Sequence, residues 1–149
     1  MLVCAGGNDA LVGGQGLDTA VCTGLRSDYT VTVSGGTVVA TDLIAGRDGT
    51  DTLSSVERLR FADRSLALDA TGNAGTVVLI LGAVFGKAAV ANRNYVGIGL
   101  RLLDGGMGLT ELVKFALDER LGTGASHETV VTLLYTNVGE VAPGDCELG

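Results

Sequence analysis

A nine-residue pattern of glycine, aspartate and an apolar residue constrains this chain more than any other feature. Residues 6–21 read GGNDALVGGQGLDTAV, with five glycines in sixteen positions. That density excludes a helix, because each glycine in a helix interior costs roughly 1 kcal/mol against alanine. Cut at nine-residue intervals, residues 4–12 read CAGGNDALV and residues 13–21 read GGQGLDTAV. The second copy fits G-G-x-G-x-D-x-U-x, where U is apolar and is here the small Ala20. The first copy has lost its leading glycines at Cys4 and Ala5 but keeps Gly7, Asp9 and Leu11. Each position has a physical reason. Glycines permit tight turns that bring carbonyl oxygens together. The aspartate adds a carboxylate to the inner side of the turn, and the apolar residue starts a short strand that packs inward. Stacked turns gather oxygens around one hard cation, and calcium takes about six to eight of them.

This stretch resembles the RTX, or haemolysin-type, calcium-binding β-roll repeat. Residues 18–31 and 46–63 look like the segment that closes such a roll, so the resemblance covers residues 4–69. Residues 46–53 fit the nonapeptide loosely, with Gly49 and Asp51 in register. Carried over residue by residue, the resemblance implies Asp9 and Asp18 as carboxylate ligands of Ca2+. It implies carbonyls of Gly7, Gly13, Gln15 and Gly16 as further ligands, and Asp51 with Asp48 as an additional site. Cys22 stands where an aromatic residue is usual. The plainer reading makes Asp9 and Asp18 turn residues that bond their own backbone. Two of them, nine residues apart inside matching glycine patterns, favour calcium.

Charge agrees with a cationic partner. The 149 residues carry a formal net charge of −7, which argues against nucleic acid and anionic membrane surfaces, where Lys and Arg must neutralise phosphates. Aromatic residues make up 4% and tryptophan is absent, so no extended stacking platform for bases or sugars is expected. A hydrophobic fraction of 46% allows a packed core and argues against disorder. The three cysteines, Cys4, Cys22 and Cys146, show no CxxC spacing. Their odd number leaves at least one unpaired, and they read as small buried hydrophobes rather than a zinc or disulfide framework.

Three zones follow one another: a Gly- and Asp-rich start over residues 1–24, a strand-like middle over 25–70 and a helix-like stretch over 74–140. In the middle zone, β-rich runs at 29–33 and 37–41 flank a short glycine turn and predict a hairpin. Residues 56–61 suit a half-buried strand, with a return strand over 65–68. Arg58, Arg60 and Arg64 read as a solvated basic face. In the third zone the period changes. Residues 76–86, TVVLILGAVFG, form the most apolar run. They are too short to span a bilayer and predict a buried helix, with Val77, Leu81, Val84 and Phe85 on one face. Tyr95, Ile98, Leu102 and Leu103 predict a second helix. A third starts after Gly108 with Glu111 at the capping-box position and carries Leu112, Phe115 and Ala116 inward. A fourth is capped by Ser126, carries Val130, Leu133, Leu134 and Val138 on one side, and ends at Gly139 and Pro143. Residues 84–88 and 137–141 share an apolar-Gly-charged pattern that suggests an internal repeat.

The helical stretch, through residues 84–87, 94–95, 103–107 and 109–112, is similar to a small helical repeat domain of unknown function found beside RTX segments in bacterial secreted and surface proteins. No catalytic signature accompanies it. His127-Glu128 starts like a zinc-protease helix, but Val131 occupies the second histidine position. Residues 82–88 have the wrong spacing for a phosphate-binding loop, and no G-x-S-x-G occurs.

The expected architecture is α+β: a short calcium-type β-roll and hairpin region over residues 1–70, then a small four-helix module over 74–149. The expected role is a non-enzymatic, calcium-binding module of a bacterial secreted or cell-surface protein, with calcium stabilising the Gly/Asp turns. The start, MLVCAGG, lacks a secretory signal's basic and apolar regions, which the resemblance accommodates through type I secretion. The alternatives are the C-terminal accessory or secretion region of a larger secreted enzyme, or a helical adhesion and self-assembly module. Expected partners are calcium and, for the helices, a second copy or a cell-surface component. Neither nucleic acid nor a membrane span is expected.

Overall fold

The computed structural model describes residues 1–139. The chain divides into two compact units, Met1–Ala70 and Thr71–Gly149. Among the described residues eight strands precede five helices, an α+β arrangement.

The first unit is a coil of short strands. β1 (Leu2–Val3), β2 (Ala10–Val12) and β3 (Thr19–Val21) are each two or three residues long. They alternate between two sheets, with β1 and β3 in one and β2 in the other. Two nonapeptides thus make one coil, and Leu2 lies opposite Ala20 in parallel register. A hairpin then interrupts the winding. β4 (Tyr29–Ser34) and β5 (Thr37–Asp42) pair antiparallel around Gly35-Gly36. β6 (Thr50–Ser54) runs antiparallel to β5 yet parallel to β2, with Ala10 opposite Thr52. β7 (Arg58–Arg60) lies parallel to β3, with Thr19 opposite Arg58, and β8 (Ser65–Ala67) folds back antiparallel on it. β6 and β7 therefore continue the roll, displaced along the sequence by the inserted hairpin. The sheets run β1-β3-β7-β8 and β2-β6-β5-β4.

One core cluster joins residues of both sheets: Ala20, Leu59 and Phe61 from one side, Val38, Ala40 and Leu53 from the other. Leu53 and Leu59 are fully buried, each worth roughly 1.5–3 kcal/mol relative to exposure. Cys4 and Cys22 are buried here too, but they are joined in a disulfide, which corrects the reading of them as unlinked hydrophobes. The winding explains the miss. Eighteen residues separate the pair in sequence, while the coil leaves their Cα atoms 4.9 Å apart. Cys146 lies outside the described residues. A second correction concerns Arg58, placed on a solvated face by its alternating strand pattern. It is buried and ion-paired with Asp69, whereas Arg60 and Arg64 are exposed.

The second unit gathers around α1 (Asn73–Phe85), which touches every other helix: α2 (Lys87–Val90), α3 (Arg93–Asp104), α4 (Leu109–Leu121) and α5 (His127–Gly139). α1 buries Val77, Leu81 and Val84 but leaves Leu79 exposed, so this helix is central without being enclosed. α3 approaches it closely at Gly99, where a β-carbon would lie 2.7 Å from Val77 Cγ1. Asn92 caps α3, its Oδ1 accepting from the amides of Asn94 at 3.0 Å and Tyr95 at 3.3 Å. The Gly108 amide donates to Glu111 at 3.0 Å, and the Thr129 amide to Ser126 at 3.2 Å. The Asn137 side-chain amide donates to the carbonyls of Ala83 and Val84 at 2.8 and 3.0 Å, satisfying acceptors at the end of α1. Asn137 and Val84 are the positions aligned by the suggested repeat. Its remaining residues, Glu140 and Val141, and the stop at Pro143 lie outside the described residues. No described helix is long and apolar enough to cross a membrane.

Candidate functional site

The parallel pairing of β2 with β6 stacks the turn before one strand on the turn before the other. Asp9 precedes β2 as Asp51 sits at the start of β6, and the register sets them side by side. The Asp9 amide donates to Asp51 Oδ1 at 3.0 Å, and the Thr52 amide returns a bond to the Asp9 carbonyl at 2.8 Å. One residue earlier, the Thr50 amide donates to Asn8 Oδ1 at 2.9 Å. Gly49 makes this stacking possible. Its φ is +79°, and a β-carbon there would overlap the Gly7 carbonyl oxygen. Asp51 is 1% exposed. Burial pushes its carboxyl above the usual range, reinforced by the charges of Asp9 and Asp48 and opposed by the hydrogen bond from the Asp9 amide. Asp9 Oδ2 is buried and accepts no hydrogen bond from any described residue.

The other sheet repeats the motif with different chemistry. The Asp18 amide donates to Glu57 Oε2 at 2.8 Å, and the Asp18 carbonyl accepts from the amides of Glu57 at 3.1 Å and Arg58 at 3.0 Å. Glu57 stands before β7 as Asp18 stands before β3. Sequence reasoning missed Glu57, although its place just ahead of an apolar strand residue, Leu59, was the available signal. Asp9 and Asp18 precede strands of different sheets, so each is stacked with a later acid and not with the other. Gly13 is pressed against the Ser55 carbonyl and the Asp18 β-carbon, while Gln15 and Gly16 lie in the exposed turn between β2 and β3.

Asp48 lies deeper. It is 3% exposed, and both oxygens are engaged. Oδ1 accepts from Thr23 Oγ1 at 2.7 Å; Oδ2 accepts from the Thr23 amide at 2.8 Å and from the Tyr29 hydroxyl. Burial, then the bond to Asp48, raises the Tyr29 phenol above its ordinary value. The Asp48 amide donates to Asp42 Oδ2 at 3.0 Å. Arg47 grips Asp42 with two bonds of 2.7 Å, reaches Asp28 at 3.1 Å, and covers the Tyr29 ring at 5.2 Å. The Arg47 guanidinium holds the Asp42 carboxyl well below the usual carboxylate range. This network ties the loop after β5 to the turn after β3.

Among the described residues, no three His, Cys, Asp or Glu side chains converge as a metal group. The stacked turns instead offer carboxylates in pairs beside backbone carbonyls. His127 is exposed at the first turn of α5. In the helical unit an apolar cleft of about 260 Å³ opens between α1, α3 and α4, lined by Leu81, Tyr95, Ile98 and Phe115 with Glu119 at its wall. No protein-family model, curated protein or solved structure matches the chain.

Proposed function

We propose that residues 1–70 are a calcium-stabilised module, and that the chain is a non-enzymatic component of a bacterial secreted or cell-surface protein. The reading rests on one observation above the rest: Asp9 Oδ2 is buried without a hydrogen-bond partner among the described residues, beside the buried Asp51. A buried polar atom left unsatisfied costs about 1–3 kcal/mol, and a cation between two carboxylates removes that cost and their repulsion together. The carboxylates of Asp9 and Asp51, with the Gly7 carbonyl, would hold Ca2+, and water would complete its shell of oxygens. Asp18 and Glu57, with carbonyls of Gly13, Gln15 and Gly16, form the second candidate pair. Bound calcium supplies charge neutralisation, and the chain's residues supply the turn geometry. Asp48, saturated by Thr23 and Tyr29, acts through the fold.

Calorimetric titration with calcium, followed by circular dichroism, tests this on the intact chain and on Asp9→Asn and Asp18→Ala. Saturable binding in the 10⁻⁴–10⁻³ M range of extracellular modules is expected, weakened at least tenfold by Asp9→Asn. No binding up to about 10 mM overturns the reading.

A second reading draws on the apolar cleft, whose Tyr95, Ile98 and Phe115 are all 40–45% exposed. It makes the helical unit a self-assembly or adhesion module. A mass by light scattering that rises with concentration, and falls back with Phe115→Glu, would favour it.

A further inference from the structure

Cys4 and Cys22 are separated by 18 residues, the length of one coil. Leu2 faces Ala20 and Val3 faces Val21, so the residues that follow, Cys4 and Cys22, meet across neighbouring strands. Both are buried, at 0% and 2% exposure. The loop they close contains Gly7, Asp9, β2, Gly13, Gln15, Gly16 and Asp18, and ends in β3, which β7 anchors independently through three paired residues and the buried Ala20. Without the sulfur bridge, short pairings, the bonds of Asn8, Asp9 and Gly13 to β6 and its flanks, and the half-buried Leu2 and Leu11 hold this coil. β1 pairs with β3 through two residues, and β2 with β6 through three. Among the described residues β1 and β2 are the outermost strands of their sheets, and Val3 and Val12 are exposed on them. Repulsion between Asp9 and Asp51 acts to lift the coil away.

We propose that the Cys4–Cys22 disulfide holds the first coil closed when no cation is bound, so that the order of residues 5–17 follows the redox state of this pair. A crosslink over a loop of this length restricts the open chain enough to shift closure by about 200-fold. Reduction reverses the effect. A dithiol such as dithiothreitol gives two electrons and two protons, leaves Cys4 and Cys22 as thiols, and becomes a cyclic disulfide itself. The proposal leans on the calcium reading only for the identity of the cation that takes over in the reduced chain.

The test is amide hydrogen exchange by NMR on the full chain with Cys146→Ser, in calcium-free buffer with chelator, oxidised and then reduced. The double variant Cys4→Ala, Cys22→Ala serves as a second reduced form. The Asp9 amide, bonded to Asp51 Oδ1, and the Gly13 amide, bonded to the Ser54 carbonyl at 3.0 Å, report the coil; amides of β5 report the rest of the unit. Exchange at Asp9 and Gly13 is expected to accelerate about 200-fold on reduction while β5 is unchanged. Equal exchange in both states overturns the proposal. So does loss of protection in β5 as well, because the bridge then supports the whole unit and not one coil. Adding 10 mM calcium to the reduced chain separates the two readings. Restored protection supports both; no restoration, with the redox effect intact, removes calcium and leaves the disulfide's role standing.

Discussion

Two carboxylates stacked across neighbouring strands repel each other, and the burial of Asp51 makes that repulsion harder to screen. The Asp9–Asp51 pair is therefore a destabilising element of the cation-free chain. Asp51→Asn keeps an oxygen to accept from the Asp9 amide and adds an N–H that can donate to Asp9 Oδ2. In calcium-free buffer this substitution is expected to stabilise the strand unit by about 1 kcal/mol, read as a higher urea midpoint at unchanged slope. In the same experiment it abolishes the part of the calcium gain that the Asp9–Asp51 pair gives the native chain. That gain is about 1.4 kcal/mol at ten times the dissociation constant. A residue serving only as a turn former would lose stability in both conditions. Asp9, Asp18 and Asp51 stood out in the sequence because glycines framed them. Glu57 did not, because β7 follows a loop without that frame, and its role emerges only when β3 and β7 are laid side by side.

Elements whose local chemistry and tertiary packing agree were legible from sequence. The hairpin β4–β5 has two β-rich runs and a Gly-Gly turn. The starts of α4 and α5 have Glu111 and Ser126, and both side chains accept the expected amides. What the sequence hid was set by partners far along the chain. Arg58 reads as exposed by alternation but meets Asp69, and the cysteines read as separate but share a coil. The apolar run of α1 reads as enclosed, yet Leu79 is 74% exposed. Glycines in α3 show the same division between local and tertiary effects. Gly97 has open space where a side chain would go, whereas Gly99 packs on Val77. Gly97→Ala is expected to stabilise the helical unit by about 0.5–1 kcal/mol through helix propensity. Gly99→Ala, which overpacks the α1–α3 crossing, is expected to destabilise it by about 1–3 kcal/mol. Thermal unfolding followed at the helical signal of circular dichroism checks both.

At the scale of the molecule, acid and calcium act through opposite shifts in the strand unit. Asp42, held low by Arg47, contributes stability that is complete above about pH 4 and lost as pH falls toward its folded-state value. Asp51, pushed up by burial, contributes stability that is complete below about pH 4 and lost as pH rises through its folded-state value. The cation-free chain is thus expected to be most stable on the acidic side of neutrality. Asp42→Asn flattens the acid limb of that curve, and Asp51→Asn the upper limb. Saturating calcium removes the upper limb from the native chain. Urea midpoints across pH 3–8, with and without calcium, provide the measurement.

The inserted hairpin also sets an order in time. β2 pairs with β6 and β3 with β7, so each of these early strands has a partner some forty residues downstream, whereas β4 meets β5 across two residues. Contacts between near neighbours form first and distant ones wait. As the chain emerges from a ribosome, β3 can close on β1, but β2 and β3 lack β6 and β7 until residue 60 is also free. The feature that interrupts the roll thus postpones the meeting of Asp9 with Asp51 and of Asp18 with Glu57, so both acid pairs are completed only after the hairpin has emerged.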